Sequence, residues 1–291
     1  MHSDPASRIA EHTALIRAIE SCRPEELRLF ADPLAFTLLT PSQRRLVRLA
    51  RMSLFRAWLW HRVDRRIPGA RTSVLASTAY MDNAWSQARR DGFPQIVLLG
   101  SSLDCRALRL PFGSSTVFEV DRPETLAAKR EHLAEFLRTA PANIRYAEAD
   151  LDRCGIEEAL ARAGFNRSVP SLFLWEGGTG YRTVEAAVSV FSYVGGCAPS
   201  TRIGFTYFHS GLLDGSVAFE DRARVLDALE NQSESWTFGF DPRQLPALLQ
   251  SRNLVLDYDH SAEQYRRICF GADAARAKGY CFHHIALAHV P

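Results

Sequence analysis

The sequence predicts an α/β protein: a mostly parallel sheet of seven strands covered on both faces by helices, preceded by a helical N-terminal segment. Three observations carry this. From Gln95 onward, short apolar runs alternate with stretches of helical spacing, the order that lays strands side by side with helices as crossovers. The runs are apolar at nearly every position, as in strands buried on both faces. The first ninety residues instead repeat their apolar side chains at helical intervals. We therefore expect one domain over residues 1–291, with a helical extension over 1–90 and an α/β core over 91–291.

In chain order, His12–Ser21 carries Leu15, Ile16 and Ile19 on one helical face and stops before Arg23-Pro24. Residues Pro41–Arg66 predict one basic amphipathic helix, with arginines interleaved among Leu46, Val47, Leu49, Met52, Leu54, Phe55, Trp58 and Leu59. Such a helix either covers a core with a solvated arginine face or lies on a membrane or an acidic partner, and the balanced charge of the whole chain favours the cover. The expected strands are Gln95–Leu99, Thr116–Val120, Ile144–Ala147, Ser171–Trp175, Arg202–Tyr207, Leu254–Tyr258 and Cys281–Leu287. Between the first five lie the helices Pro123–Arg138, Ile156–Ala163 and Val184–Val194, with Pro123 suited to a first turn. Little helix separates the last two strands, so an antiparallel pairing is open to them.

Composition excludes several classes. Basic residues number 35 against 33 acidic ones, a net charge of +2, which exerts no global pull toward nucleic acid or membrane. Met1–Arg8 lacks the apolar stretch of a secretory leader, and no run approaches the roughly 18 apolar residues that cross a bilayer. Cys22, Cys105, Cys154, Cys197, Cys269 and Cys281 are irregularly spaced with no C-x-x-C pair, so reduced structural thiols are expected and a metal site is not. A cytoplasmic protein with a small-molecule partner is the expectation.

Ligands of an open parallel sheet bind beyond the carboxyl ends of its strands. After the first strand comes Gly100-Ser101-Ser102, a small-residue turn that backbone-binding ligands can approach closely. It is not G-x-G-x-x-G, which disfavours a dinucleotide phosphate cradle. Glu119 and Asp121 close the second strand, Asp150 and Leu151 follow the third, and Glu176 leaves the fourth into Gly177-Gly178. A carboxylate after the second strand suits a ribose diol, Asp150 with Leu151 suits an adenine amino group and ring, and Glu176 suits a ligand ammonium. Taken singly, helix capping explains Asp121 about as well and Asp150 better. Taken together, the three positions fit S-adenosylmethionine.

The ordered motifs Arg28-Leu29-Phe30, Asp32-Pro33, Gln95–Gly100, Leu103-Asp104-Cys105-Arg106, Val117–Asp121, Asp150-Leu151, Trp175-Glu176-Gly177, Phe205-Thr206-Tyr207, Gly211–Gly215 and Trp236–Gly239 run through most of the chain. In these the sequence resembles the leucine carboxyl methyltransferase family, above all its bacterial branch. The resemblance implies a Rossmann-like class I methyltransferase fold, S-adenosylmethionine as cofactor, and N-terminal helices that form part of a lid. It implies ribose contacts at Glu119 and Asp121, adenine contacts at Asp150 and Leu151, and a cofactor-side acid at Glu176. Three positions depart from the pattern: Gly100-Ser101-Ser102 replaces a Gly-Ala-Gly-like turn, Ser77 stands where an arginine grips the cofactor carboxylate, and Gly180 precedes Tyr181 where a larger residue is usual. With serine in place of a guanidinium fork, weaker cofactor binding is expected, unless another arginine such as Arg71 substitutes.

A carboxylate acceptor is already ionised and requires no base, whereas a hydroxyl acceptor requires one, for which His209 is the candidate. A hydrogen-bonded structural histidine is the favoured account of His209, and of His283-His284 at most one faces any site. Tyr181, Tyr207, Trp236 and Phe238 are candidates to wall an aromatic substrate pocket. The expected activity is O-methylation of a carboxylate or hydroxyl on a small metabolite, in secondary metabolism. The competing expectation is the same fold repurposed for a reaction such as cyclisation.

Overall fold

The computed structural model describes residues 5–66, 69–134, 136, 141–153, 155–220, 222–230, 236–275, 277 and 280–291. Its strands are β1 (Gln95–Leu99), β2 (Thr116–Asp121), β3 (Ile144–Glu148), β4 (Ser171–Trp175), β5 (Arg202–Phe208), β6 (Val255–Ser261) and β7 (His283–His289). They form one seven-stranded sheet in the order β3-β2-β1-β4-β5-β7-β6. The first five are parallel, and β7 runs antiparallel to both β5 and β6. β1 and β4 are buried at every residue, which is why they stand out as continuous apolar runs. β7 begins and ends two residues later than the apolar pattern indicates, because His289 pairs with Arg202 and Val255 in the ladder.

The helices are α1 (Pro5–Glu20), α2 (Pro41–Leu49), α3 (Ser53–Arg66), α4 (Ala70–Arg90), α5 (Arg106–Arg109), α6 (Pro123–Ala134), α7 (Ile156–Arg162), α8 (Val184–Gly195), α9 (Gly211–Asp214), α10 (Arg222–Glu230), α11 (Leu245–Gln250) and α12 (Ala262–Phe270). The single helix expected over Pro41–Arg66 is two. Arg56 Nη1 donates to the Ala50 carbonyl at 2.9 Å, satisfying a backbone acceptor that a continuous helix would have used. At the start of α2, the Thr40 side chain and Gln43 form a capping box. Of the expected helix Pro123–Arg138, residues 135, 137 and 138 lie outside the described residues, as does Cys154. None of the other five cysteines is in a disulfide. Among the described residues no helix is long and apolar enough to cross a membrane.

Helix α4 joins the two halves of the molecule. Its Leu75 enters an N-terminal cluster with Ile16, Ile19, Phe30, Val47 and Trp60. Its Met81, Ala84, Trp85 and Ala88 pack on Ile96, Leu98, Leu172 and Leu174 of the sheet. The strand order departs in opposite directions from β1, to β2 on one side and β4 on the other. Beyond their carboxyl ends a parallel sheet of this kind leaves a crevice.

Candidate functional site

A cleft of about 550 Å³ opens at that switch point, between the carboxyl ends of β1, β2 and β4 and the helices α1 and α4. Its volume falls within the usual range of small-molecule sites, roughly 300–1,000 Å³. One wall is polar and one aromatic.

The polar wall begins at the turn after β1. Gly100 has a φ of +63°, and Ser102, at +30°, holds the same left-handed region with a side chain. The Asp121 carboxylate at the end of β2 fastens this turn, accepting the Ser102 N–H and the Arg122 N–H, each at 2.8 Å. Between them Ser101 is 2% exposed and lines the cleft, and among the described residues its Oγ has no hydrogen-bond partner. Across from the turn, Glu176 Oε1 accepts from Ser77 Oγ at 2.5 Å and Thr78 Oγ1 at 3.1 Å, and Oε2 accepts from Arg106 Nη2 at 2.6 Å. Arg106 is 2% exposed and also pairs with Asp82 at 2.8 Å and with Asp104. The chain of charges continues through Arg109, 2.7 Å from Asp82 and 3.5 Å from Asp32, to Arg17 of α1, 2.9 Å from Asp32. Burial alone would raise the Asp104 carboxyl, but Arg106, Arg17 and Lys129 outweigh it and hold it down at about 2.

The aromatic wall comes from β5, β7 and the segments that cross them. Phe208 stacks on Trp236 with ring centroids 3.7 Å apart, Trp236 meets Tyr280 at 6.1 Å, and its indole N–H donates to Tyr181 Oη at 2.9 Å. A Cβ at Gly180 would lie 2.7 Å from the Phe208 ring and 3.4 Å from Trp236. The glycine is what lets this stack form. His283 completes the wall, 5.6 Å from Phe208 and 5.7 Å from Tyr265.

Of the residues singled out in the sequence, Ser77, Gly100, Ser101, Asp121, Glu176 and Tyr181 meet on this cleft. Glu119, Asp150, Leu151 and His209 are not on its wall. Glu119, 1% exposed, pairs with the buried Lys129 at 2.8 Å and raises that ammonium against the lowering effect of burial. Asp150 accepts the Asp152 N–H at 3.0 Å, and Leu151 is packed into the core. His209 Nδ1 accepts the Gly211 N–H at 3.0 Å, beside Phe219, and burial followed by His284 lowers its pKa. Of the cleft residues that the reading of the sequence did not settle, two bear most on the chemistry. Arg106 hides within a motif, because its partners Asp82 and Glu176 lie 24 and 70 positions away. His283 was separable from His284 only by strand alternation: His284 bonds Asp259 at 2.9 Å and stacks on Tyr207, while His283 points to the cleft. Arg71 does not reach the site, being held by Asp64 at 2.6 and 3.0 Å.

The donor set suits a zwitterionic ligand with a sugar. The partnerless Ser101 hydroxyl, the turn at Gly100, and carboxylates at 121 and 176 on opposite sides of the cleft offer contacts to an ammonium, a carboxylate and a diol. Among the described residues no group of three His, Cys, Asp or Glu side chains could hold a metal ion.

Comparison with known proteins bears on the family and the fold. The sequence profile described as leucine carboxyl methyltransferase matches residues 10–195. A protein of Mycobacterium bovis BCG Pasteur, named as a candidate S-adenosyl-L-methionine-dependent methyltransferase, is 33% identical over 167 residues, 57% of this chain and 52% of that protein. A protein of the same description from Mycolicibacterium smegmatis is 32% identical over 171 residues, 58% of this chain and 54% of its own. The chain thus matches about half the length of these curated relatives. Among solved structures, a methyltransferase candidate from Thermobifida fusca superposes with a TM-score of 0.57 at 13% identity, covering 94% of both chains. A DUF574 family protein from Streptomyces avermitilis gives 0.58 at 14% identity, covering 95% of this chain and 97% of its own. At such identities the likeness establishes the fold alone.

Proposed function

The chain belongs to the leucine carboxyl methyltransferase family, and from that premise we propose that it is an S-adenosylmethionine-dependent O-methyltransferase of a small metabolite, the acceptor atom being a carboxylate or hydroxyl oxygen and the pathway one of secondary metabolism. We read residues 1–291 as one catalytic domain, acting in the cytoplasm, with the helices before β1 as its lid.

The observation that carries this reading is the convergence on one cleft of the partnerless Ser101 hydroxyl, Asp121 and Glu176. In our assignment Gly100 and Ser101 hold the amino-acid end of the cofactor, Asp121 the ribose, and Glu176 the ammonium, with Arg106 and Ser77 fixing the Glu176 carboxylate in place. Glu119, Asp150 and Leu151 stand off the cleft wall, so the grip on the cofactor is assigned without them. When bound, S-adenosylmethionine supplies an electrophilic methyl group on a sulfonium. The protein's share is to align the acceptor oxygen with that carbon and to exclude water, which makes a two-body reaction effectively intramolecular. Tyr181, Phe208, Trp236 and Tyr280 provide the surface on which an aromatic or apolar acceptor lies.

The test is transfer of a labelled methyl group from S-adenosylmethionine to members of a panel of small carboxylic acids and phenols. The account expects labelled ester or ether. A protein that binds S-adenosylhomocysteine yet labels no member of the panel would point to a fold repurposed for another reaction.

A further inference from the structure

We propose that the methyl acceptor is a phenol-like hydroxyl and that the imidazole of His283 takes its proton; this rests on the methyltransferase reading above and narrows its substrate class. His283 lines the cleft and is 6% exposed, and its buried Nδ1 has no hydrogen-bond partner among the described residues. An unpartnered imidazole in a buried position is costly unless a ligand completes it. The cleft is where that ligand would come from. The ring stands beside Phe208, which stacks on Trp236, so a flat acceptor lying on those rings brings its hydroxyl toward His283.

The groups packed around the ring leave it free to accept. Tyr265 of α12 faces it, but its hydroxyl is engaged with Ser73 of α4 at 3.0 Å. His284 points to the other face of the sheet, to Asp259. Tyr280 stands farther along the aromatic wall; of the charged groups on the cleft wall, Glu176 and Arg106 are bonded to each other at 2.6 Å and Asp121 is engaged by the turn after β1. No carboxylate among the described residues bonds the ring and would hold it protonated in advance. Burial, with His284 as the smaller influence, pushes its pKa down to about 3, so the resting ring is neutral, with one nitrogen lone pair open to a hydroxyl donor.

In the step itself the acceptor O–H bond breaks with its proton passing to a ring nitrogen, the acceptor oxygen bonds to the methyl carbon, and the carbon–sulfur bonding pair stays on sulfur. One positive charge leaves sulfur as one arrives on the ring. The cleft's net charge is unchanged, which offsets the burial that disfavours an imidazolium. A carboxylate acceptor would bring no proton and leave the ring without a role.

The experiment uses protein with isotope-labelled histidine, loaded with sinefungin, an unreactive cofactor analogue bearing an ammonium near the sulfonium position. Adding para-nitrophenol should move one His283 ring-nitrogen resonance in the direction of protonation, and para-nitroanisole, which has no hydroxyl, should not. In parallel, His283→Gln should lower methyl transfer to phenols by roughly a hundredfold to ten-thousandfold while S-adenosylhomocysteine affinity is unchanged. Equal responses to the phenol and the ether, no response to the phenol, or carboxylic acids methylated at a rate indifferent to His283→Gln overturn the proposal. The NMR comparison decides the matter even if the variant does not fold. If the parent takes up neither sinefungin nor S-adenosylhomocysteine, the methyltransferase reading falls and this assignment with it.

Discussion

At the Glu176 carboxylate three donors converge, from Ser77, Thr78 and Arg106, and this changes what a substitution at residue 77 should do. Sequence reasoning expects a weakened grip at Ser77 that an arginine would repair. The structure already places a guanidinium beside Glu176, from Arg106, and gives Ser77 4% exposure. A second guanidinium would have to share one carboxylate with Arg106 in a buried space, where like charges repel. Ser77→Arg is therefore expected to leave S-adenosylhomocysteine binding no tighter than in the parent, and to lower the melting temperature. Calorimetry and thermal denaturation of the same sample check both halves. A clear gain in affinity would mean that the cofactor carboxylate lies at residue 77 after all. The sequence could not show this arrangement, since nothing local marks Arg106 as the partner of residues so far along the chain.

At the level of elements, what was legible followed burial. β1 and β4 are apolar throughout and their limits coincide with expectation. β7 was displaced because its ends are histidines, whose place in a ladder depends on neighbouring strands rather than on their own polarity. The same strand hid His283, since alternation shows that two adjacent histidines face apart but not which one faces the cleft. Likewise Glu119 and Asp121, two apart on β2, share a face by alternation, so the pattern could not tell that Asp121 reaches the cleft while Glu119 is taken up by Lys129 of α6 in a buried ion pair. Gly180 was noticed only as a departure from a pattern. Its reason is the Phe208–Trp236 stack. Gly180→Ala should therefore force Phe208 aside, costing about 1–3 kcal/mol, the usual range for overpacking, and weaken binding of aromatic acceptors more than that of S-adenosylhomocysteine. Denaturant unfolding and paired titrations measure the two effects; an alanine variant as stable as the parent would contradict the close packing described.

Across the whole molecule, the buried ionic chain from Arg17 through Asp32, Arg109, Asp82 and Arg106 to Glu176 fastens α1 to the cleft. This gives the N-terminal helices an electrostatic tie to the site in addition to their apolar packing. Asp104 belongs to the same assembly, and its carboxyl is held at about 2 against an ordinary 3.8. A depressed carboxyl contributes stability that is complete above the ordinary value and is lost as pH falls through the folded one. The contribution is about 2 kcal/mol, so stability should decline on acidification from about pH 4 to 2, and Asp104→Asn should flatten that decline; unfolding free energies across this range would show it. The central claim, a cofactor cleft at the switch point of the sheet, is tested most directly by calorimetric titration of S-adenosylhomocysteine into the parent protein and into Asp121→Ala. The account predicts saturable one-to-one binding by the parent and a loss of about 1.5–3 kcal/mol, roughly ten- to a hundredfold in affinity, in the variant. No binding by the folded parent at millimolar ligand, or equal affinity in a folded variant, would contradict it.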